Sequence, residues 1–243
     1  MLVTVENLSK KYSRKSDYAI TNITLHGDGG EIVGILGHNG AGKSTTIKCI
    51  TGMHPYEAGT VSICGHDLVK EPLLAKKCFG YVSDEFALFE KMTGMEFVNF
   101  MADIYQVSVE EREERIEEFQ KLFALGDSIY NPISSYSHGM KQKISLMGAL
   151  IHHPKVFILD EPMIGLDPHT ASAVKGFFRK HSDEGNLVLF SSHNLDTVEK
   201  VCDRVYIIDQ GRILEEIDMK EFKEKGVDLE EYFLAVTQRV ART

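Results

Sequence analysis

Glu31-Ile-Val-Gly-Ile-Leu-Gly37-His-Asn-Gly-Ala-Gly-Lys43-Ser44 joins an apolar run to a glycine-rich turn that closes on a lysine and a hydroxyl. The aliphatic run reads as a strand buried on both faces, as in a parallel sheet covered by helices. Gly37, His38, Asn39, Gly40, Ala41, Gly42, Lys43 and Ser44 then fit G-x-x-x-x-G-K-[ST], and Thr45 leads into a predicted helix. Glycines at these places let the backbone curl until successive N–H groups face one point, at a helix N-terminus that favours negative charge. Such a loop suits a phosphate chain. Lys43 brings positive charge to the outer phosphates, and the Ser44 hydroxyl is a ligand for Mg²⁺. A glycine-rich turn that binds nothing is the plainer reading, and the strand–loop–helix context opposes it.

Outward from this stretch, Val156-Phe-Ile-Leu159 and Leu187-Val-Leu-Phe190 are further aliphatic runs, each followed by a polar loop and a helical stretch. Together they predict a doubly wound α/β core with its crevice at the strands' carboxyl ends. The first run ends in Asp160-Glu161. Asp160 is suited to hold a Mg²⁺ shell opposite Ser44, and Glu161 to orient or deprotonate an attacking water. Alone the acidic pair says little; beside the phosphate loop it says much. Leu2 to Asn7 alternates instead, and Val205 to Leu214 reads as a hairpin turning at Gln210-Gly211. An antiparallel sheet added to the parallel one is therefore expected.

The middle third is helical. Ser108-x-x-Glu111 has capping-box spacing, and Ile116, Phe119, Leu122 and Phe123 follow at helical intervals. Thr93 to Gln106 and Lys141 to His152 also read as helix, the latter stopping before Pro154. The expected organisation is one domain over residues 1–243. Its parts are a core with antiparallel β subdomain (1–84 and 153–214), a helical subdomain (85–152) and a C-terminal helical tail (215–243).

Composition removes several classes. With 243 residues, 43% hydrophobic and 26% charged, the chain is a folded globule with room for one large domain. Lys plus Arg number 27 against 36 Asp plus Glu, and the net charge of −9 repels nucleic-acid backbones, so no nucleic acid is expected as partner. Neither a signal peptide nor a spanning segment is visible, and Cys49, Cys64, Cys78 and Cys202 form no C-x-x-C pair. Reduced thiols in a cytosolic protein are the expectation.

Three further segments carry a resemblance. Tyr136-Ser137-His138-Gly139-Met140, Ile158-Leu-Asp160-Glu161-Pro-Met-Ile-Gly-Leu-Asp167-Pro168 and Ser191-Ser-His193-Asn194 follow the phosphate loop in an ordered series. In order and spacing they resemble the ATP-binding-cassette ATPases, from about Leu2 to Leu214. The resemblance implies a RecA-like P-loop NTPase core, an added antiparallel β subdomain and a helical signature subdomain. It also implies two cassettes, identical or not, closing head to tail around two Mg-ATP. ATP and Mg²⁺ are the implied ligands. Ser137 and the Gly139 N–H would then meet the γ-phosphate held by the partner, Asp167 would sit at the dimer seam, and His193 would hold Glu161 and the water in line. With Lys43, Glu161 and His193 make up the implied catalytic set. Tyr12 falls where the family stacks an aromatic on adenine; an exposed or core-edge tyrosine is the alternative.

Two positions depart from the family pattern. Asp84 stands where the family has Gln; a carboxylate still ligates Mg²⁺ but is charged and cannot donate. His138 stands at the first glycine of the signature, while Gly139 is kept. Retained hydrolysis with altered coupling is the expectation. The wording Tyr-Ser-x-Gly-Met-Lys-Gln-Lys and the tail Asp228 to Leu234 are similar to ATPase subunits of bacterial exporters whose membrane permease is a separate chain. A cytoplasmic protein peripheral on the inner face of the membrane is implied. The docking groove is expected beside Asp84, at Phe86, Leu88 and Phe89, unless these merely fill the joint. Leu229, Tyr232, Phe233 and Val236 share a helical face that serves either the chain's own core or a partner. A soluble cassette of DNA repair or translation, and a binding-only regulatory cassette, are the alternatives.

Overall fold

The computed structural model describes residues 1–13, 17–84 and 88–240. In chain order the strands and helices are β1 (Val3–Lys11), β2 (Tyr18–Gly27), β3 (Ile32–Leu36), α1 (Lys43–Ile50), β4 (Ala58–Ile63), β5 (His66–Asp67), α2 (Pro72–Lys77) and β6 (Phe79–Val82). Then come α3 (Gly94–Ile104), α4 (Val109–Phe123), α5 (His138–Leu150), β7 (Val156–Asp160), α6 (Pro168–Asp183), β8 (Leu187–Ser192) and α7 (Leu195–Val201). The chain closes with β9 (Arg204–Asp209), β10 (Arg212–Asp218), α8 (Met219–Glu224) and α9 (Leu229–Val240). A six-stranded sheet runs β10-β9-β3-β8-β7-β6 and a four-stranded antiparallel sheet runs β2-β1-β4-β5.

Every residue of β3, β7 and β8 is buried, as their unbroken aliphatic runs require, because both faces of the large sheet are covered. Alternate side chains enter different cores. Ile32, Leu36, Phe157, Leu159, Val188 and Phe190 face a cluster that includes α3 to α6. Val33, Ile35, Ile158, Val156 and Leu189 face the other, built with α1 and the antiparallel sheet. The fold is the expected α/β core with an added antiparallel sheet, and α3, α4 and α5 lie between β6 and β7.

Two local expectations change and one open alternative is resolved. The Val205–Leu214 hairpin does turn at Gln210-Gly211, but it joins the edge of the large sheet: β9 pairs parallel with β3, and β10 antiparallel with β9. Alternation in sequence does not name the sheet an edge hairpin extends. The reciprocal capping box forms at Thr93 and Glu96, whereas Ser108 caps α4 by accepting the Glu111 N–H. In the tail, Leu229, Phe233 and Val236 are buried in the chain's own core, the first of the two uses open to that face.

Close backbone approach fixes how α5 sits on the sheet edge. A Cβ built on Gly80 of β6 would lie 2.0 Å from the Ala149 carbonyl oxygen. Gly80→Ala is expected to lower unfolding free energy by about 1–3 kcal/mol, since backbone has to move on one side. Gly176→Ala, in α6 with nothing within 4 Å of the new methyl, is expected to raise it by about 0.5–1 kcal/mol. Urea melts of both variants check the pair; a neutral Gly80→Ala would contradict this packing.

Candidate active site

Parallel register brings the chemistry to one edge. Leu36 pairs with Ser192, and Asp160 with Ser191, so the loops after β3, β7 and β8 emerge side by side. After β3 the chain passes Gly40 and Gly42, both at positive φ (84° and 110°), and enters α1 at Lys43. Gly42 has no room for a side chain, its Cβ position being 2.9 Å from Ile20 and 3.2 Å from the Gly211 Cα. No side chain caps α1, which leaves its first N–H groups to an anion. Lys43, 5% exposed, donates to the carbonyls of Gly37 (2.8 Å) and His38 (3.1 Å).

Asp160 ends β7 fully buried, where burial pushes its carboxyl above the usual range against hydrogen bonds from the Ser191 and Ser44 hydroxyls. Ser191 Oγ donates to Asp160 Oδ1 at 2.5 Å and accepts the Glu161 N–H at 3.0 Å, so one hydroxyl orders both acidic residues. Glu161 holds a left-handed backbone, φ 49°, a cost that turns its side chain back into the crevice. Its Oε1 lies 3.3 Å from Lys43 Nζ and 3.0 Å from His193 Nδ1. Three loops thus meet on one carboxylate oxygen.

These groups line a cavity of about 480 Å³ with Tyr12, Asn39, Gly40, Gly42, Ser44, Thr45 and Asp84. Tyr12 stands at the rim, 59% exposed, its hydroxyl 2.9 Å from Thr45 Oγ1. Asp84 accepts from Ser83 Oγ and lies 3.9 Å from Lys48 Nζ. Asp160 is not itself in the lining, but it bonds the Ser44 hydroxyl that is, and its Oδ2 is buried with no hydrogen-bond partner; with Ser44 and Asp84 of the lining it is an all-oxygen set whose chemistry suits Mg²⁺. Gly37, His38 and Ala41 do not line this cavity. The first two offer carbonyls to Lys43, and the His38 ring turns away to meet Phe233 of α9 edge-on at 4.9 Å.

Ser137 and Gly139 are also outside the cavity lining. Ser137 caps α5 by accepting the Met140 N–H at 3.3 Å. The start of α5 packs on the loop that follows Glu161. His138 occupies the space a Cβ on Gly165 would need, 2.2 Å from its ring, and Gln142 donates to the Pro162 carbonyl at 3.1 Å. Lys143 Nζ lies 3.7 Å from Asp167, which caps α6 through Thr170 and is held at a pKa of about 2, first by the Thr170 hydroxyl and then by its N–H. Sequence reasoning did not single out Gln142, Lys143, Gly165 or Ser191 for these roles. The Ser-Ser-His-Asn segment carried the signal for Ser191; the others emerge only when α5 meets the loop.

Comparison with known proteins agrees over most of the chain. The sequence profile described as ABC transporter matches residues 20–164. The linearmycin resistance ATP-binding protein LnrL of Bacillus subtilis is 34% identical over 213 residues, 88% of this chain and 68% of that protein. A solved ATP-binding subunit of an ABC transporter superposes with a TM-score of 0.91 at 32% identity, covering 98% of this chain and all of that one. The structure of cbiO1 from Clostridium perfringens, part of the ABC transporter complex cbiONQ, gives 0.77 at 27% identity over 99% of this chain and 96% of that one. Phosphate loop, paired carboxylates and histidine therefore stand in a fold whose matches are transporter ATP-binding subunits, and the chain belongs to the ABC transporter family as one of its ATP-hydrolysing cassettes.

Proposed function

We propose that two cassettes, this chain and a second identical or different one, close around two Mg-ATP and drive export through a separate membrane permease. The observation that carries this reading is a cavity in which Lys43 and His193 both meet the Glu161 carboxylate while Ser137 and Gly139 lie outside its lining. The two signature contacts are thus apart from the chain's own site, as a head-to-tail pair requires.

In this mechanism Tyr12 and the loop from Gly37 to Thr45 bind ATP, adenine at the rim and phosphates at the start of α1. Ser44, Asp160 and Asp84 would hold Mg²⁺, which would supply charge neutralisation at the phosphates. Lys43 exchanges its ion pair with Glu161 for the phosphates, which frees Glu161 to accept a proton from water while His193 keeps its carboxylate aligned. The partner's signature closes the site and excludes water. Closure moves α3, α4 and α5 as a body, because Gln142, His138 and Lys143 tie α5 to the loop after Glu161.

Among the described residues no helix is long and apolar enough to cross a membrane. The permease of this reading is a separate polypeptide, a division favoured by the likeness to cbiO1, itself part of the ABC transporter complex cbiONQ. We place the cassette in the cytoplasm on the inner membrane face. Its docking groove holds Met53, Tyr81, Leu88, Phe89, Met101 and Tyr105, with Phe89 half exposed and edge-on to Phe100. Phe86, expected there, is outside the described residues. Kinship with a drug-resistance protein favours export.

Glu161→Gln keeps the side chain's shape and removes the base. ATP turnover is expected to fall at least about a hundredfold, and with Mg-ATP the variant is expected to elute from a sizing column as a dimer. Elution as a monomer would contradict the scheme. A second test concerns the signature departure. Gly165→Ala is expected to cost about 2 kcal/mol in a denaturant melt, His138→Gly alone to leave turnover within about tenfold, and the double variant to recover part of the lost stability. Strict additivity would mean the His138 ring does not press on Gly165.

A further inference from the structure

His153, His181 and Glu184 lie apart from the nucleotide cavity, none of them among its lining residues. His181, in the last turn of α6, is 1% exposed, its ring stacked on Phe177 and edge-on to Phe157. It is hydrogen-bonded to the Pro154 carbonyl, yet its Nε2 is buried without a partner. An orphaned lone pair in a protein interior costs about 1–3 kcal/mol, so it calls for an occupant.

Two further donors converge on it. Glu184 caps α6 three residues on, which puts it on the same face as His181. His153 arrives from the turn between α5 and β7, its left-handed backbone (φ 50°) bending the chain there. His153 Nε2 lies 3.6 Å from Glu184 Oε2, and one ligand atom from each of the three residues falls within 4.8 Å of the others. All three line a void of about 40 Å³ together with Phe177, Lys180 and Arg115 among others, room for an ion and a bound water. The two cations in that lining are engaged elsewhere: Lys180 by Glu118 at 2.5 Å, and Arg115 by the Ile151 carbonyl at 2.7 Å.

We propose that His153, His181 and Glu184 form a binding site for one divalent transition-metal ion of the Zn²⁺ class. Two imidazoles and a carboxylate are a borderline donor set suited to zinc, with water completing a tetrahedron. Ligand atoms about 3.3 Å apart are what zinc demands. The required contraction falls to His153 and Glu184, whose side chains are half exposed and able to turn, while the buried His181 is the fixed point. Bound there, the ion ties the turn before β7 to the end of α6.

Calorimetric titration of ZnCl₂ into the reduced full-length chain tests the site. One equivalent is expected to bind and to raise the thermal midpoint. His153→Ala and Glu184→Gln, both changes at exposed positions, are expected to weaken binding at least tenfold and abolish the thermal shift. His193→Ala, in the nucleotide cavity, is expected to bind zinc as before. The site is wrong if the unaltered chain takes up no zinc, or if His153→Ala binds it undiminished. It is equally wrong if Co²⁺ in place of zinc shows thiolate charge-transfer bands, which would assign the metal to the cysteines.

Discussion

The Glu161 carboxylate, pinned between Lys43 and His193, is the interaction on which the rest of this molecule depends. It joins the loops after β3, β7 and β8 at their shared edge, and it exists only because those strands pair in register along fully buried runs. The Lys43 ammonium and the His193 ring hold this carboxylate by an ion pair and a hydrogen bond at the mouth of the cavity. In the proposed mechanism a phosphate chain entering at α1 competes for Lys43 and thereby releases Glu161 to act as base, so that substrate binding and activation are one electrostatic event.

The same loop carries the consequence outward. Pro162 accepts from Gln142, Gly165 lies under His138, and Asp167 stands opposite Lys143. All three partners belong to the first turns of α5, the helix that Ser137 caps. In the proposed mechanism these contacts would carry motion at Glu161 to the signature, and the close approach of Ala149 to Gly80 would carry it to the sheet edge that borders the apolar groove. His138 is part of this joint rather than a gap in it: its ring fills a space that only a glycine at position 165 leaves open.

What the sequence made legible was contiguous chemistry. The run from Glu31 to Ser44, the Asp160-Glu161 pair and Ser-Ser-His193 each carry their context within a few residues, and each lies where its pattern implied. Legibility failed where partners are distant in the chain. Alternation in Val205–Leu214 showed a hairpin but not the sheet it extends, since pairing with β3 spans about 170 residues. The His38 ring reads as part of the phosphate loop, yet it is taken by Phe233, nearly 200 residues on. His181 and Glu184 stand three apart, a spacing common in ordinary helices, and His153 is far from both in sequence; a turn and a helix end bring the three together only in the fold.

The central claim is that this chain binds nucleotide with one edge and caps a partner's nucleotide with another. Ser137→Asp in the Glu161→Gln background tests it most directly. Aspartate caps α5 as well as serine does, so the helix is kept, but a negative charge now faces whatever anion the signature meets. The account predicts unchanged calorimetric affinity of the single chain for Mg-ATP together with loss of the ATP-bound dimer in sedimentation. A dimer that persists, or a monomer whose own ATP affinity collapses, would contradict it.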